Sequence, residues 1–507
     1  MQPLLRQLAL VLVIACATSV VSQAQAPVLR GELVIEGTVD SSYGFSIERV
    51  VSNGGGGNVG GVVLRGTFSD SISVEGSRLT SRGLADGFLC SVDDRLRLQW
   101  LKSFGGAGYD AITCMAPLPD GGLVVGMLCG AGVNGVTSYR IGEVTFSGRG
   151  GADAVVFAMN ADGTVRWVRN DGSFNAEYPT SITVLSDSLI IVAGVFLRES
   201  RFGTESVSDS CEISGYVQAI TKNGAHRWVR VVRGAALDGP PLAVRIQPLH
   251  IHAMPNGTAE VVVTSSEAIV WSDSTIAGPN AELYGTTAII TIDSDGKEVD
   301  IVGLATCPAA QTVFGSNDVS ISAASAEYVA NACTALPFDV ITFRADARTT
   351  HVNSVDVPSP GVKQIRSSAR GRLISGSTDQ RALILALEPQ GNERWRYLHN
   401  TLSGAMYDAF ETDSAITAVV MSDKLSLLQF GFSTGVLDDA NAEREHLDKR
   451  VITSAELSAF IRDGCEVWSL TGCRLWVNGS SASKPIVPQV CMLRRDSGAV
   501  ALVLLVD

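Results

Sequence analysis

The sequence predicts an all-β repeat fold, a single closed β-propeller built from four-stranded blades. One strand–turn–strand segment, Gly151–Asn170, recurs in altered form along the chain. Runs of apolar and β-branched residues, each of strand length, alternate with turn signals throughout. Helix signals are nearly absent, and the charged segment Asp438–Arg450 is interpreted as a surface excursion. Many short strands with regular turns favour a propeller over a sandwich.

The recurring segment reads as a buried hairpin. In GADAVVFAMNADGTVRWVRN, apolar residues fill both faces of the first strand, which predicts that both faces are buried. Asn160 to Gly163 form the break, because Asn and Asp bond back to nearby backbone and Gly accepts a positive φ. Trp167 lies on the return strand.

Copies of this segment mark the repeat units. Trp228 and Trp395 each follow a turn glycine by four residues, and Trp100 ends a copy that lacks the glycine. We predict that these tryptophans and Trp167 are equivalent packing residues and not ligand contacts. Weaker copies complete a set of eight, at about residues 100, 167, 228, 300, 351, 395, 439 and 502, with spacings of roughly 44 to 72 residues. Eight blades are therefore favoured; seven is the alternative if the degenerate unit around Gly435 is not a blade.

Each unit has the same internal order. A strand such as DAITCMAP (Asp110–Pro117) precedes a turn and a second strand, LVVGMLCG (Leu123–Gly130). A polar connection then leads to the next hairpin, which gives four strands per unit. The ring is expected to close by joining both ends of the chain, with Gly31–Gly37 in the same blade as Val490–Val506. Closure would replace two open sheet edges with paired ones.

The first residues resemble an export signal. Arg6 precedes an apolar run, Leu8–Val21, and small residues follow in SQAQA. Residues 1–24 are therefore assigned to a signal peptide and residues 25–507 to the propeller domain, in a secreted or periplasmic protein. The alternative is an outer-membrane lipoprotein attached through Cys16. No other stretch is long and apolar enough to span a bilayer.

Charge and cysteine content limit the partners. The net charge of -13 argues against a nucleic-acid partner, since that affinity depends on Lys and Arg. Ten cysteines are present, and several could pair in an oxidising compartment. Cys465 and Cys473 are the best local pair for a disulfide. Cys90, Cys114 and Cys129 fit equally well as buried thiols in strands.

The motifs resemble those of bacterial secreted β-propeller-repeat proteins of the SBBP type. The resemblance rests on QWLKSFGGAGYDAITCM, which starts at Gln99, and on GADAVVFAMNADGTVRW, which starts at Gly151. It implies a secreted propeller without a settled activity. A second resemblance is to quinoprotein propellers, an eight-bladed enzyme fold with docking tryptophans. Those enzymes often carry adjacent cysteines, and this chain has none; a catalytic Asp and calcium set is not matched either.

Other patterns do not predict a catalytic, cofactor or metal site. His250 and His252 lie two apart and could share a metal on a strand, but no third ligand is near in sequence. The segments NADG (160–163) and DSDG (293–296) lack the distal Glu of a calcium loop and are interpreted as hairpin turns. The glycine run NGGGGNVGG lacks the Lys and Ser/Thr of a phosphate loop.

The predicted function is a non-catalytic binding or structural scaffold, with the quinoprotein-like dehydrogenase as the alternative. Propellers carry function in face loops, so the long connections are the candidate contact surface. The expected partner is a protein, a glycan or a cell-surface ligand, and the expected state is a monomer. The connections are Ala131–Gly150, Glu199–Ser214, Trp271–Gly285 and Val477–Pro488.

Overall fold

The chain divides into two compact units, Met1–Phe432 and Ser433–Asp507, where a single propeller domain over residues 25–507 is predicted from the sequence. The computed structural model describes residues 27–52, 59–130, 138–186, 189–211, 213–236, 246, 250–254, 256–272, 274–277, 286–304, 319–322, 325–328, 338–344, 349–355, 361–368, 370–378, 381–388, 392–399, 404–412, 414–432, 450–452, 466–469, 474–476, 490–494 and 500–505. The predicted signal peptide with Cys16, the unit around Gly435 and the pair Cys465–Cys473 lie outside this part.

The first unit is all-β. Its first strands are β1 (Val28–Asp40), β2 (Ser46–Ser52), β3 (Val59–Val74), β4 (Ser77–Thr80), β5 (Asp86–Asp93), β6 (Leu98–Gly106), β7 (Asp110–Pro117), β8 (Leu123–Gly130), β9 (Ser138–Ile141), β10 (Val144–Ser147), β11 (Ala152–Met159), β12 (Val165–Asp171), β13 (Glu177–Ser186), β14 (Leu189–Phe196), β15 (Glu199–Phe202), β16 (Glu205–Ser208), β17 (Ser214–Thr221) and β18 (His226–Ala235). The strands that follow are β19 (His250–Ala253), β20 (Ala259–Ser265), β21 (Ala268–Trp271), β22 (Ser274–Ile276), β23 (Thr286–Ile292), β24 (Glu298–Leu304), β25 (Val319–Ser322), β26 (Ser325–Tyr328), β27 (Phe338–Arg344), β28 (Thr349–Val355), β29 (Gly361–Ser368), β30 (Gly371–Thr378), β31 (Arg381–Leu387), β32 (Glu393–Leu398), β33 (Ala405–Glu411), β34 (Ala415–Met421) and β35 (Leu425–Gly431).

Groups of four antiparallel strands follow one another along this unit, the first within an 11-stranded sheet and the third within a 6-stranded sheet. The four-strand order is β2–β3–β5–β6, then β7–β8–β11–β12, β13–β14–β17–β18, β19–β20–β23–β24 and β29–β30–β31–β32. Two hairpins, β25–β26 and β27–β28, lie between the last two of these sheets in the chain. The core lies between adjacent sheets: Leu89 and Phe104 of one sheet pack with Val125 and Phe157 of the next. This succession of small sheets is a β-propeller-like all-β fold.

A repeated contact explains the turn glycine and the tryptophan. The indole Nε1 of Trp100 donates to the carbonyl of Ala161 at 2.9 Å. Trp167 donates in the same way to Lys222 at 2.7 Å, and Trp228 donates to Ser294 at 2.9 Å. In each case the acceptor lies in the outer hairpin turn of the next sheet. The prediction that the tryptophans are equivalent packing residues is confirmed for these three, and Trp395 is also buried.

The turn glycines are required by the same contact. Gly163, Gly224 and Gly296 have φ values of 80°, 82° and 71°, a region that favours glycine. A Cβ at Gly224 would lie 2.8 Å from Trp167 Cε3, and one at Gly296 would lie 2.9 Å from the ring of Trp228. The turn glycine therefore has two roles: it allows the backbone conformation of the hairpin turn, and it leaves room for the indole of the neighbouring sheet.

Small hairpins between the second and third strands join adjacent sheets. Strand β9 pairs with β6, where Gly105 faces Arg140. Strand β21 pairs with β18 from Val232–Trp271 to Ala235–Ala268. The carbonyl of Arg201 in β15 accepts the Gly172 N–H at 3.0 Å. Two of the long connections proposed as contact surfaces, Ala131–Gly150 and Glu199–Ser214, thus contain hairpins that bond to the preceding sheet or to the residue directly after it, and Trp271–Gly285 begins at the end of a strand that does the same.

The chain ends of the first unit meet through β1. Its first half pairs antiparallel with β35, from Val28–Gly431 to Ile35–Leu425, and so completes a sheet with β33 and β34. Its second half pairs with β3. The prediction that Gly31–Gly37 shares a sheet with Val490–Val506 is therefore wrong, because Leu425–Gly431 occupies that edge.

The second unit contains one described sheet. Its strands are β36 (Arg450–Ile452), β37 (Glu466–Ser469), β38 (Arg474–Trp476), β39 (Val490–Arg494) and β40 (Val500–Leu505). Their order is β36–β40–β39–β37–β38, with β36 parallel to β40. The C-terminal apolar strand therefore pairs with β39 and β36.

Four cysteines of the first unit are buried free thiols: Cys90, Cys114, Cys129 and Cys211. This matches the interpretation of the first three as strand residues. Burial raises the pKa of the Cys114 thiol to about 11 and that of Cys90 to about 12, so both stay protonated at neutral pH. Among the residues that the structure describes, no helix is long and apolar enough to cross a membrane.

Candidate functional site

A cavity of about 380 Å³ opens where the first strands of several sheets approach one another. Its wall comes from the connection between β1 and β2 and from strands β7, β13, β19, β29 and β33. Strands β2 and β3 contribute Ser46 and Arg65, and several neighbouring strands around the cavity are in contact: β2 with β7, β7 with β13, β13 with β19, β29 with β33, and β33 with β2. The lining includes Ser41–Ser46, Arg65, Thr113, Tyr178–Thr180, His250, Lys363, Gln364 and Tyr407.

Four of the lining residues are the extra residues of β-bulges, and each bulge lies in the first strand of its sheet. Thr113 is the extra residue between Ile112 and Cys114, which face the adjacent residues Met127 and Gly126. The same irregularity occurs in three other first strands, and in each the extra residue of the bulge lines the cavity; these residues are Thr180, Lys363 and Tyr407. A bulge bends its strand and redirects one side chain. The fold therefore uses one backbone device four times to present side chains here.

Aromatic rings surround the opening. The Phe45 and Tyr407 rings meet edge to face with centroids 5.0 Å apart, and the Tyr43 and Tyr109 centroids are 6.0 Å apart. Gly44, with φ of 65°, brings the backbone against Tyr407: a Cβ there would lie 3.6 Å from Tyr407 Cδ1. The Ser41–Ser46 connection is thus packed against a side chain of β33.

The tyrosine hydroxyls remain protonated. Burial raises the pKa of Tyr43, and the nearby Asp40 carboxylate raises it further. Burial also raises the pKa of Tyr178, with a smaller contribution from Tyr43. Both phenols therefore offer a hydrogen-bond donor at neutral pH.

Cationic side chains line the cavity, whereas its lining, as far as the structure describes it, contains no Asp or Glu. Lys363 is exposed, and its Nζ lies over the Tyr407 ring at 5.3 Å from the centroid. Arg65 Nε donates to Ser46 Oγ at 2.7 Å, and its Nη1 donates to the Ile112 carbonyl at 2.8 Å. The cavity has a positive lining in a chain of net charge -13, which favours anions locally.

A partly buried ion cluster, centred on the buried Asp408, fixes the cavity wall from behind. Arg366 of β29 bonds both oxygens of Asp408 in β33, at 2.8 and 2.7 Å. The same guanidinium donates to the Ile47 carbonyl at 2.6 Å and to Glu48 at 3.0 Å. Asp408 also accepts the Ile47 N–H at 3.0 Å. Strand β2 lies more than 300 residues before β29 and β33 in the chain, and this cluster joins the three strands at one point.

A separate group of buried acids lies at the junctions between sheets. At Gly105, Asp86 Oδ1 and Asp110 Oδ2 lie 2.7 and 2.9 Å from the position that a Cβ would occupy. At Gly172, Asp153 Oδ1 and Glu177 Oε2 lie 2.6 and 2.9 Å from the same position. Asp110 accepts the N–H groups of Gly106 and Gly130. Within the part that the structure describes, the Oδ1 atoms of Asp86 and Asp153 have no hydrogen-bond partner.

These acid pairs favour the protonated state. Burial raises the pKa of Asp110 to about 7, and the charge of Asp86 raises it further. Burial also raises the pKa of Asp86 to about 6, against the opposing effect of Arg82. The pKa of Glu177 is raised to about 7, again mainly by burial. Because the folded state keeps protons that the unfolded chain has lost, the stability that these groups contribute decreases as the pH rises from about 4 to about 7.

Of the residues singled out from the sequence, some lie at the cavity and others lie in hairpin turns. His250 lines the cavity, and burial lowers the pKa of His252, two residues further on β19. No group of three metal-ligating side chains occurs among the residues described here. The turns at 160–163 and 293–296 are hairpin turns as predicted: Asp293 Oδ1 accepts the N–H groups of Asp295 and Lys297 at 2.9 Å.

Most cavity residues were not predicted. Tyr43, Arg65, Tyr178, Lys363 and Tyr407 carry no motif, and the long connections were expected to form the contact surface. The available signal was a polar residue within an otherwise apolar first strand, three residues after an acid in DAIT and EYPT. That signal marks Thr113 and Thr180. It does not reveal that they meet.

Comparisons with known proteins leave the family open. No family model matches the chain, and no curated protein matches it. Among solved structures, the chain is similar to a prolyl endopeptidase (13% identity, 94% of this chain and 55% of that chain, TM-score 0.42). It is similar to prolyl oligopeptidase B from Galerina marginata (9% identity, 94% and 57%, TM-score 0.43). A third similar structure is a protein of unknown function from Dyadobacter fermentans (9% identity, 80% of this chain and 97% of that chain, TM-score 0.37).

These likenesses are weak and carry no functional argument. The chain spans little more than half the length of the prolyl peptidases that it matches. The resemblance to secreted β-propeller-repeat proteins stays a prediction, because no family model addresses it.

Proposed function

We propose that the first unit is a closed ring of seven blades and that its central cavity binds a small molecule. The fourth strand of the last blade is β1, which pairs with β35. The contact of β33 with β2 and the bonds from Arg366 to Ile47 and Asp408 support closure at the same junction. The hairpins β25–β26 and β27–β28 together supply the fifth blade in this assignment.

The function is that of an exported, non-catalytic binding scaffold. The observation that carries it is the convergence of four bulge residues, Thr113, Thr180, Lys363 and Tyr407, on one cavity. Aromatic faces, phenol donors and a cation within about 300–1,000 Å³ are typical of small-molecule sites. The cavity replaces the long connections as the ligand site, because the hairpins in Ala131–Gly150 and Glu199–Ser214 hold adjacent sheets together.

The test is a screen for ligands that depend on the cavity. Purified protein is heated with a panel of sugars, sugar acids, organic acids and amino acids, and the unfolding temperature is recorded. Tyr178→Ala removes a cavity wall, whereas Phe174→Ala removes an aromatic ring that is 81% exposed nearby in the chain. A ligand that stabilises the wild type and Phe174→Ala, but not Tyr178→Ala, supports the proposal. A panel without any Tyr178-dependent ligand contradicts it.

The quinoprotein-like dehydrogenase is the alternative function. It predicts turnover of an artificial electron acceptor with an alcohol or a sugar when a quinone cofactor and calcium are supplied. Such turnover by the purified protein would replace the scaffold proposal.

A further inference from the structure

We infer that the cavity selects a small organic anion in which a carboxylate lies beside a hydroxylated ring, as in a sugar acid. This inference rests on the proposed function and names its ligand class.

The charge around the cavity is arranged to admit an anion. The nearest carboxylates are bound to other groups: Asp40 accepts the Tyr109 hydroxyl at 2.7 Å and the Ser42 N–H at 2.8 Å. Glu48 and Asp408 are both held by Arg366. An incoming carboxylate therefore meets Lys363 and Arg65 in the lining, while Asp40, Glu48 and Asp408 lie outside the lining and are held by other donors.

Lys363 is the residue best placed to recognise that charge. It is the unpaired residue of the β29 bulge, it is exposed, and its ammonium lies over the face of Tyr407. A cation–π contact leaves the N–H donors of an ammonium able to bind an anion. Arg65 lines the same cavity, but its Nε and Nη1 are already used to hold Ser46 and Ile112. Arg65 thus contributes a positive electrostatic field and holds the cavity wall in place, and Lys363 makes the direct contact with the anion.

The remaining lining fits a polar ring. Tyr43 and Tyr178 offer protonated hydroxyls and aromatic faces, and Thr113 and Ser42 offer further hydroxyls. Aromatic faces pack against the C–H faces of a ring, while hydroxyls bond to its edge. The volume of about 380 Å³ is at the lower end of small-molecule sites. A single sugar acid is therefore favoured over a long chain.

The experiment measures binding of three probes by titration calorimetry: glucuronate has both the ring and the charge, glucose has the ring alone, and acetate has the charge alone. We expect glucuronate to bind more tightly than either of the others. Lys363→Met keeps the aliphatic stem, and it should weaken glucuronate about ten- to hundredfold, as expected for loss of a charge-assisted hydrogen bond. It should leave glucose unchanged. Lys222→Met, at an exposed turn lysine, is the matched control and should change neither.

The outcomes separate this inference from the proposal on which it rests. If glucose binds as well as glucuronate and both depend on Tyr178, the cavity is a binding site and the anion inference is wrong. If glucuronate binding survives Lys363→Met unchanged, the role of Lys363 is wrong. If none of the probes binds and no other Tyr178-dependent ligand is found, the proposed function fails as well.

Discussion

Replacing Trp228 tests whether the indole contact between sheets stabilises the fold. Its ring is 8% exposed and packs in the core with Ile269 and Ile290. Its Nε1 donates to the Ser294 carbonyl, and Arg230 lies 5.3 Å from the ring centroid. Trp228→Ala removes a buried aromatic side chain and leaves a cavity, which costs about 3–5 kcal/mol.

Trp228→Phe separates packing from the hydrogen bond. It keeps an aromatic ring but loses the N–H donor, and the exposed Ser294 can bond to water instead. The net loss of such a bond is about 0.5–1.5 kcal/mol, so the Phe variant should lose clearly less stability than Trp228→Ala. The half-exposed Trp167 buries less area, so Trp167→Ala should cost less than Trp228→Ala.

The assay is urea unfolding followed by far-ultraviolet circular dichroism, which does not depend on the removed indole. Phe174→Ala is the control and should change the midpoint little, because that ring is 81% exposed. The reasoning is refuted if Trp228→Ala unfolds at the midpoint of Phe174→Ala. It is also refuted if the Phe and Ala variants of Trp228 lose the same stability, because packing would then contribute nothing.

Three further predictions follow from other contacts. The free energy of unfolding should decrease as the pH rises from about 4 to about 7, and Asp110→Asn should flatten that dependence in a pH series of unfolding curves; an unchanged slope contradicts the assigned protonation. Arg366→Met leaves Asp408 buried without its cation, so it should cost about 3–5 kcal/mol, whereas adding Asp408→Asn should recover part of that loss in a double-mutant cycle. Removing residues 27–35 uncovers the β35 edge and should cause aggregation, seen by light scattering, whereas removing residues 500–505 leaves that edge paired with β1.

The local repeat could be predicted from the sequence because its contacts are local. The turn at Asn160–Gly163 is specified by residues within five positions, and the strands on either side pair directly with each other. The indole of Trp167 and the glycine at 224 recur together because one packs on the other. A sequence pattern that recurs because two residues pack together can be recognised without knowing how distant strands are arranged.

The pairing that joins the chain ends could not be predicted in the same way. Strand β1 needs an apolar antiparallel partner, and both Leu425–Gly431 and Val500–Leu505 have suitable composition. The choice between them depends on which strands already have neighbours, and this is a property of the whole assembly.

The candidate site was missed because it has no local sequence pattern. Its walls come from strands that are far apart in the chain, and each contributes only one or two side chains. A β-bulge, which presents Lys363 and Tyr407, depends on pairing register and is not visible in the composition of one strand. Polar residues such as these are easily taken for solvent-facing positions of an ordinary strand.

Closure and ligand binding depend on the same segment. Strand β1 pairs with β35, and the next residues, Ser41–Ser46, form one wall of the cavity against Tyr407. Ile47 and Glu48 then bond to Arg366. A ligand held between this segment and β29 therefore binds only while the chain ends are joined, and it must stabilise that junction by mass action. At one hundred times its dissociation constant, a ligand would add about 2.7 kcal/mol. Amide hydrogen exchange should accordingly slow in β1 and β35 when glucuronate is bound; protection confined to the cavity residues would show that site and closure are independent.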